Sequence, residues 1–180
     1  MIKIIKLNYF TILVLSIFSL IACSSDNDND DEKMGNWINR SIFDGKPRSG
    51  SSAFTIEGKG YMGVGYDEDD YLNDFWAYDI DGDYWSQKAN FPGTPRSSGV
   101  GFAVDDKGYI GSGYDGVDER GDFYQYDPNT NIWTQIADLP GTARRNATAF
   151  SINGYGYFGT GFDGNNDRKD FWKFDPTSNT

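Results

Sequence analysis

Arginine recurs at an interval of 48 residues, as Arg48, Arg96 and Arg144, and these side chains have a type and spacing that suggest binding chemistry. A guanidinium group carries a planar fork of N–H donors that matches a carboxylate. Three of them around a channel mouth could therefore form a ring that binds a carboxylate ligand. The alternative is structural, because residues identical in every copy of a repeat build its scaffold, here by pairing with a carbonyl or an acid. Both interpretations stay open at this point.

Residues that differ between the copies are better candidates for contacting a ligand, since the scaffold does not constrain them. They fall in three predicted loops, residues 67–73, 115–121 and 163–169. Function commonly resides on loops that a rigid scaffold holds in place. The candidate ligand-binding residues in these loops are Glu68, Asp70, Tyr71, Glu119, Arg120, Asn165 and Arg168.

The acidic residues of the loops predict turns and no metal site. The spacing of Asp163, Asn165 and Asp167 is similar to that of the oxygen ligands in a Ca²⁺ loop. The glycine expected at the sixth position is missing, however, and Lys169 follows. Asp and Asn side chains at such positions commonly bond the backbone of their own turn. We therefore expect no bound metal and no cofactor.

Catalysis has little support in the composition. The chain has no histidine and a single cysteine, so a histidine base or histidine metal site is excluded. No pair of acids stands out as a catalytic set, and we predict no catalytic residues. The interpretation that stays open is a carbohydrate-active enzyme, such as a sugar epimerase, of which this chain would be a part.

A glycine-rich stretch written three times shows what must position these side chains. Gly60–Tyr66, Gly108–Tyr114 and Gly156–Phe162 are copies of one motif, again 48 residues apart. A repeat of this length without insertions is typical of propellers and solenoids. Other residues that keep the interval are Trp37, Trp85 and Trp133; Phe54, Phe102 and Phe150; Asp74, Asp122 and Asp170; and Phe75, Phe123 and Phe171.

Each repeat is predicted to form four antiparallel strands. In the first repeat they are Ser52–Ile56, Tyr61–Tyr66, Asp74–Asp79 and Tyr84–Gln87, separated by turns rich in Gly, Asp and Asn. The first and third turns are short and share one face, whereas the longer connections share the other. A sheet with aromatic rings on both faces cannot bury them alone, so we expect the sheets to pack radially against one another.

Segments of the second repeat resemble the kelch family: Pro95-Arg96, Gly108–Tyr114, Asp122–Pro128 and Thr130–Trp133. Gly-x-Gly stands where that family has a double glycine. The resemblance covers residues 37–180 and implies an all-β, kelch-type β-propeller with three four-stranded blades, in repeats of about 37–84, 85–132 and 133–180.

Propellers usually have four to eight blades, so three repeats predict an incomplete propeller. Trp37–Asn39 is expected to form an unpartnered outer strand, equivalent to the one due after the last repeat. One explanation is that the chain is the front of a longer propeller. The other is self-association through unpaired blade edges, with two copies joining as three plus three blades.

The first 22 residues are predicted to be a signal peptide. Lys3 and Lys6 precede the mostly apolar stretch 12–22, which is too short to span a bilayer. Leu20–Cys23 resembles a bacterial lipobox, which implies that Cys23, the only cysteine, becomes the lipidated N-terminus. The alternatives are an ordinary signal peptide, with Cys23 incidental, and an uncleaved anchor.

Residues 23–36 are predicted to be an acidic, disordered tether. The run Ser24–Glu32 is similar to the tract after the lipid cysteine in Bacteroidetes-type lipoproteins of the outer membrane. We therefore expect a cell-envelope lipoprotein of the outer membrane, exposed at the surface or facing the periplasm. The net charge of −11 disfavours nucleic acid as a partner. The function expected is a binding or scaffold module for protein or glycan, which contacts the membrane only through its lipid.

Overall fold

The computed structural model describes residues 36–180. The predicted signal peptide, Cys23 and nearly all of the acidic tether lie outside the described residues. Arg40–Thr180 forms one compact unit. Across residues 36–180 we find no helix with the length and apolar character needed to cross a bilayer.

Within the described residues, eleven strands form three antiparallel sheets, which confirms the all-β prediction. The first sheet, blade 1, contains β1 (Ser52–Ile56), β2 (Lys59–Tyr66), β3 (Tyr71–Asp79) and β4 (Tyr84–Gln87). Blade 2 contains β5 (Val100–Val104), β6 (Lys107–Tyr114), β7 (Glu119–Asp127) and β8 (Ile132–Gln135). Blade 3 contains β9 (Thr148–Ile152), β10 (Tyr155–Gly159) and β11 (Phe171–Phe174). Within each blade the strands are neighbours in chain order.

The blades meet along their first strands, where β1 lies beside β5 and β5 beside β9. The approach is close: a Cβ atom on Gly101 would lie 2.5 Å from the carbonyl oxygen of Ala53. Main-chain hydrogen bonds also cross between blades. Gly65 N donates to the Arg96 carbonyl at 2.7 Å, and Gly113 N donates to the Arg144 carbonyl at 2.8 Å. Such equivalent contacts define three blades of a β-propeller.

Aromatic rings fill the space between consecutive blades. Phe75 of blade 1 packs edge-on against Tyr126 and Trp133 of blade 2, with centroid distances of 4.8 Å for both. Phe123 of blade 2 meets Phe158 of blade 3 in the same way at 5.5 Å. Edge-to-face pairs of this kind contribute about 0.5–1.5 kcal/mol beyond the area they bury. Each sheet thus buries one face against the next, as the radial packing prediction requires.

The Gly-x-Gly motif forms a β-bulge in the second strand of blades 1 and 2. In blade 1 the pairing of β2 with β3 shifts register between Gly63 and Gly65. The intervening Val64 has a φ of 53°, unusual for a β-branched residue, and Gly65 has a φ of 116°. The Val64 carbonyl at this bulge accepts a hydrogen bond from Arg48 Nη1 at 3.1 Å.

Some predicted boundaries were wrong. β3 begins at Tyr71 and β7 at Glu119, so Tyr71, Glu119 and Arg120 lie in strands and not in loops. The reason is that the ladder continues past the bulge, where Tyr66 pairs with Tyr71.

The predicted strand Trp37–Asn39 is also absent from the structure. Residues 37–39 have no regular secondary structure, and Trp37 is 94% exposed. A strand requires a hydrogen-bonded neighbour to satisfy its backbone, and none is assigned to these residues in the part of the chain that is described. Blade 3 accordingly contains three strands, with β11 at its outer edge.

Candidate functional site

The three repeated arginines form one repeated ion-pair motif inside the blades. Arg96 Nη1 and Nη2 donate to the two carboxylate oxygens of Asp122 at 2.6 and 2.8 Å. Arg96 Nε donates to the Thr94 carbonyl at 2.9 Å, and Nη1 also donates to the Ser112 carbonyl at 3.2 Å. The guanidinium carbon lies 5.0 Å from the centroid of the Phe91 ring. The same bidentate pairing joins Arg48 to Asp74 and Arg144 to Asp170.

Burial of this motif favours the structural interpretation of the arginines. Arg96 and Arg144 are 0% exposed, and the Arg48 side chain is 2% exposed. Burial alone would raise the pKa of Asp122, but the Arg96 guanidinium outweighs it and the pKa is lowered. A carboxylate ligand could reach these guanidinium groups only by displacing their own aspartates. The motif ties the segment before each first strand to the third strand in blades 1 and 2, and to the residue just before β11 in blade 3.

A second repeated acid closes the loop between the second and third strands. Asp163 Oδ1 accepts hydrogen bonds from the backbone N–H groups of Asn165 and Asn166 at 2.9 and 2.6 Å. Arg168 Nε donates to Asp163 Oδ2 at 2.6 Å. These backbone donors and the Arg168 guanidinium lower the pKa of Asp163 to about 2. Asp163 therefore shapes its own turn, and Arg168 is held at the base of the loop.

Blade 2 repeats this arrangement and blade 1 varies it. Arg120 Nε donates to Asp115 Oδ2 at 2.8 Å. In blade 1 the cation comes from another segment, because Lys46 Nζ lies 2.6 Å from Asp67 Oδ2. Lys46 was not among the predicted site residues. The sequence contains a sign that Asp67 needs a different partner. Leu72, 48 residues before Arg120, stands where the other loops have an arginine.

Arg145 forms a clamp between blades 2 and 3 that the repeat pattern did not predict. Its guanidinium carbon lies 4.4 Å from the Tyr114 ring centroid and 5.3 Å from that of Phe162. Its Nη1 lies 3.3 Å from Glu119 Oε1. The sequence feature that could have identified Arg145 is its departure from the repeat, because the two earlier copies have serine at this position. Glu119, predicted as a ligand contact, is thus engaged within the protein.

Tyr71 joins blade 1 to blade 2. Its ring packs 4.8 Å from that of Tyr66 and 5.9 Å from that of Tyr114. It also covers Gly116, where a Cβ atom would lie 2.6 Å from the ring. The structure therefore brings Tyr71, Arg145 and Glu119 into one band of contacts that holds the three blades together at their loop ends.

The predicted site residues that remain exposed lie at the loop tips. Glu68, Asp70 and Asn165 are exposed, and Val117 at the tip of the middle loop is 79% exposed. We call these three tips, residues 68–70, 116–118 and 164–166, the loop-tip surface. The number of acidic residues decreases from tip to tip. The first tip has three acids, the second tip has one acid, and the third tip has none.

The loop acids do not assemble a metal centre. Within residues 36–180 no three His, Cys, Asp or Glu side chains are grouped closely enough to hold an ion. Asp163 instead directs one oxygen at backbone donors and the other at Arg168. Asp163 is therefore fully engaged within its own loop.

The three sheets and their packing define a β-propeller protein. Among solved structures, the chain is similar to one described as "Structure of YjhT", with a TM-score of 0.67 and 17% sequence identity. The match covers 79% of this chain and 52% of that one, so the chain spans about half the length of this structural relative. No protein-family model and no curated protein matches the sequence. A likeness at this level of identity shows the shared fold.

Proposed function

We propose that this chain is a lipid-anchored kelch-repeat protein of the cell envelope, which acts as a binding or scaffold module for protein or glycan through the loop-tip surface. The observation that carries the proposal is that residues identical in all copies and residues that differ between copies lie in different environments. Residues identical in all copies, such as Arg96 and Asp122, are paired inside the blades. Residues that differ, such as Glu68 and Asn165, are exposed at the tips.

Acids at the base of the loops hold the loop-tip surface in place, because Asp67 and Asp115 accept hydrogen bonds from the backbone N–H groups of Asp70 and Asp118. Within residues 36–180, every carboxyl whose pKa departs clearly from its ordinary value is lowered, as for Asp67 and Asp115, both to about 2. Both acids cap their own loops and act as fixed anions.

Site-specific photo-cross-linking in intact cells tests this proposal. A photoreactive benzophenone amino acid replaces Val117 on the loop-tip surface, and a matched variant carries it at Ile80, which is 55% exposed on the short-turn face. The full chain is also applied to a microarray of diverse polysaccharides. We expect a discrete adduct from position 117 alone, or glycan binding that Glu68→Lys weakens. Equal adducts from both positions with no glycan bound would contradict the proposal.

The anchor is tested separately. Growth with an alkyne-bearing fatty acid should label the full chain, and Cys23→Ser should abolish the labelling. Digestion of intact cells with a protease should then distinguish surface display from a periplasmic location. An unlabelled chain would contradict lipidation without bearing on the loop-tip surface.

A further inference from the structure

A knob-into-hole contact recurs between consecutive blades. Phe54 of blade 1 lies over Gly108 of blade 2, where a Cβ atom would be 2.0 Å from its ring. Phe102 of blade 2 lies over Gly156 of blade 3, where a Cβ atom would be 2.4 Å from the ring. Because only glycine leaves room for a ring at that distance, each phenylalanine and the glycine beneath it form a matched pair.

Blade 3 displays the next knob of this series, and no residue of the described part of the chain provides a hole beneath it. Phe150 is the equivalent of Phe54 and Phe102, and it is 40% exposed where they are 7% and 6% exposed. Ile152 and Phe171 on the same face are 50% and 54% exposed. We call Phe150, Ile152, Tyr157 and Phe171 the knob face. Equivalent residues of blades 1 and 2 are buried by the following blade.

Within residues 36–180, blade 1 displays the corresponding hole without a knob. Gly60 is the equivalent of Gly108 and Gly156, yet the nearest atom to a Cβ placed there is Tyr78 Cβ, at 3.7 Å. A surface hollow at this point is lined by Gly60, Met62, Tyr78 and Trp85, which we call the hole face. Met62, Tyr78 and Trp85 are half-buried, whereas Ile110 and Tyr126, the equivalents of Met62 and Tyr78, are 0% and 1% exposed.

We infer that the knob face of one chain binds the hole face of a second copy of the same chain, with Phe150 seated over Gly60 of that copy. The two faces are complementary in a way already realised twice inside the molecule, with the same residue types at the same positions. Two copies can make the contact twice around a twofold axis and so close a ring of six blades, within the usual range. The main-chain bond from Gly113 to the Arg144 carbonyl predicts its counterpart, from Gly161 N to the Arg48 carbonyl of the second copy.

Burial of the exposed rings supplies the driving force for this association. Three side chains that are half exposed become covered, and apolar burial contributes about 25 cal/mol per Å². The alternative occupant is a further blade of a longer chain with the same glycine. It differs experimentally, because a face already covered within one chain cannot cross-link to another.

Disulfide cross-linking between two differently tagged full-length chains tests the inference. One chain carries Thr55→Cys and the other Ile152→Cys, because Ala103, the equivalent of Thr55, packs against the blade 1 cluster that contains Ile56, the equivalent of Ile152. A disulfide forms only when the Cα atoms are within about 7 Å. We expect a cross-linked pair of chains upon co-expression.

Two further variants separate the interface from folding. Gly60→Val fills the hole, and the 3.7 Å clearance lets a single chain accommodate it. Phe150→Ala removes the knob. Each should lower the cross-linked fraction at least tenfold while leaving the protease resistance of the chain unchanged, whereas Val117→Ala should not affect it. Absence of the cross-link, or a cross-link that survives Gly60→Val, would overturn the inference.

Discussion

The Arg96 guanidinium and the Asp122 carboxylate form two parallel hydrogen bonds of 2.6 and 2.8 Å, although they lie 26 residues apart in the chain. The arginine precedes the first strand of blade 2, and the aspartate lies in the third strand just before the buried Phe123. Because the Arg96 main chain also accepts a hydrogen bond from Gly65 of blade 1, this pair connects the interior of one blade to the edge of another.

Removal of one member of the Arg96–Asp122 pair should strongly destabilise the folded protein. Arg96→Ala leaves the Asp122 carboxylate without its partner, and we expect a loss of about 3–5 kcal/mol in the free energy of unfolding measured by urea denaturation. The double variant Arg96→Met, Asp122→Leu removes both charges and should be less destabilised than Arg96→Ala. Equal stability of Arg96→Ala and the parent would contradict a bracing role for the pair.

The bulge glycines should tolerate no side chain. Gly113 has a φ of 108°, and a Cβ atom there would lie 2.7 Å from the Ser97 carbonyl oxygen. Gly58 has a φ of 76°, but a Cβ atom placed there would have nothing within 4 Å. Gly58→Ala therefore measures backbone strain alone, about 1–3 kcal/mol, and Gly113→Ala should cost clearly more because the clash adds to it. Thermal unfolding of both variants makes the comparison, and equal losses would contradict the bulge geometry.

Stability should fall below pH 4 through the loop acids. The folded-state pKa of Asp163 is lowered from 3.8 to about 2 by backbone N–H groups and Arg168. A lowered pKa means that the stabilisation is complete above pH 4 and is lost as the pH falls toward 2. Asp163→Asn should make the protein less stable at pH 7 and its unfolding free energy less dependent on pH between 4 and 2. A pH profile parallel to that of the parent protein would argue against this assignment.

The repeat length and its aromatic positions were sufficient to predict the observed strands and their order, but they misplaced some boundaries and wrongly predicted a further strand at Trp37–Asn39. They were insufficient where contacts between blades decide the outcome. Tyr71 extends its strand because it pairs with Tyr66 and covers Gly116 of the next blade. The first contact depends on a ladder that continues past the bulge in β2, and the second depends on how blade 2 is placed against blade 1.

The candidate site was likewise predicted in part, and the rest depends on how the blades pack. The repeat pattern identified Arg96 as a scaffold residue or a ligand contact, but its partner lies 26 residues away and is brought near by the strand order and the bulge. Arg145 was not predicted, although it departs from the serine of the earlier repeats. Its role follows from Tyr114 and Glu119, which only the packing of two blades places around it. Loop tips such as Glu68 were predicted because exposed residues vary without disturbing the repeat.

The dependence of each blade on its neighbour is tested most directly by amide hydrogen exchange at three equivalent glycines, at a dilution where the chain is monomeric. Gly65 and Gly113 donate their N–H groups to carbonyls of the next blade at 2.7 and 2.8 Å, whereas Gly161 has no such acceptor among residues 36–180. We predict strong protection at Gly65 and Gly113 and rapid exchange at Gly161. Rapid exchange at Gly65 and Gly113, or equal rates at all three, would contradict the account.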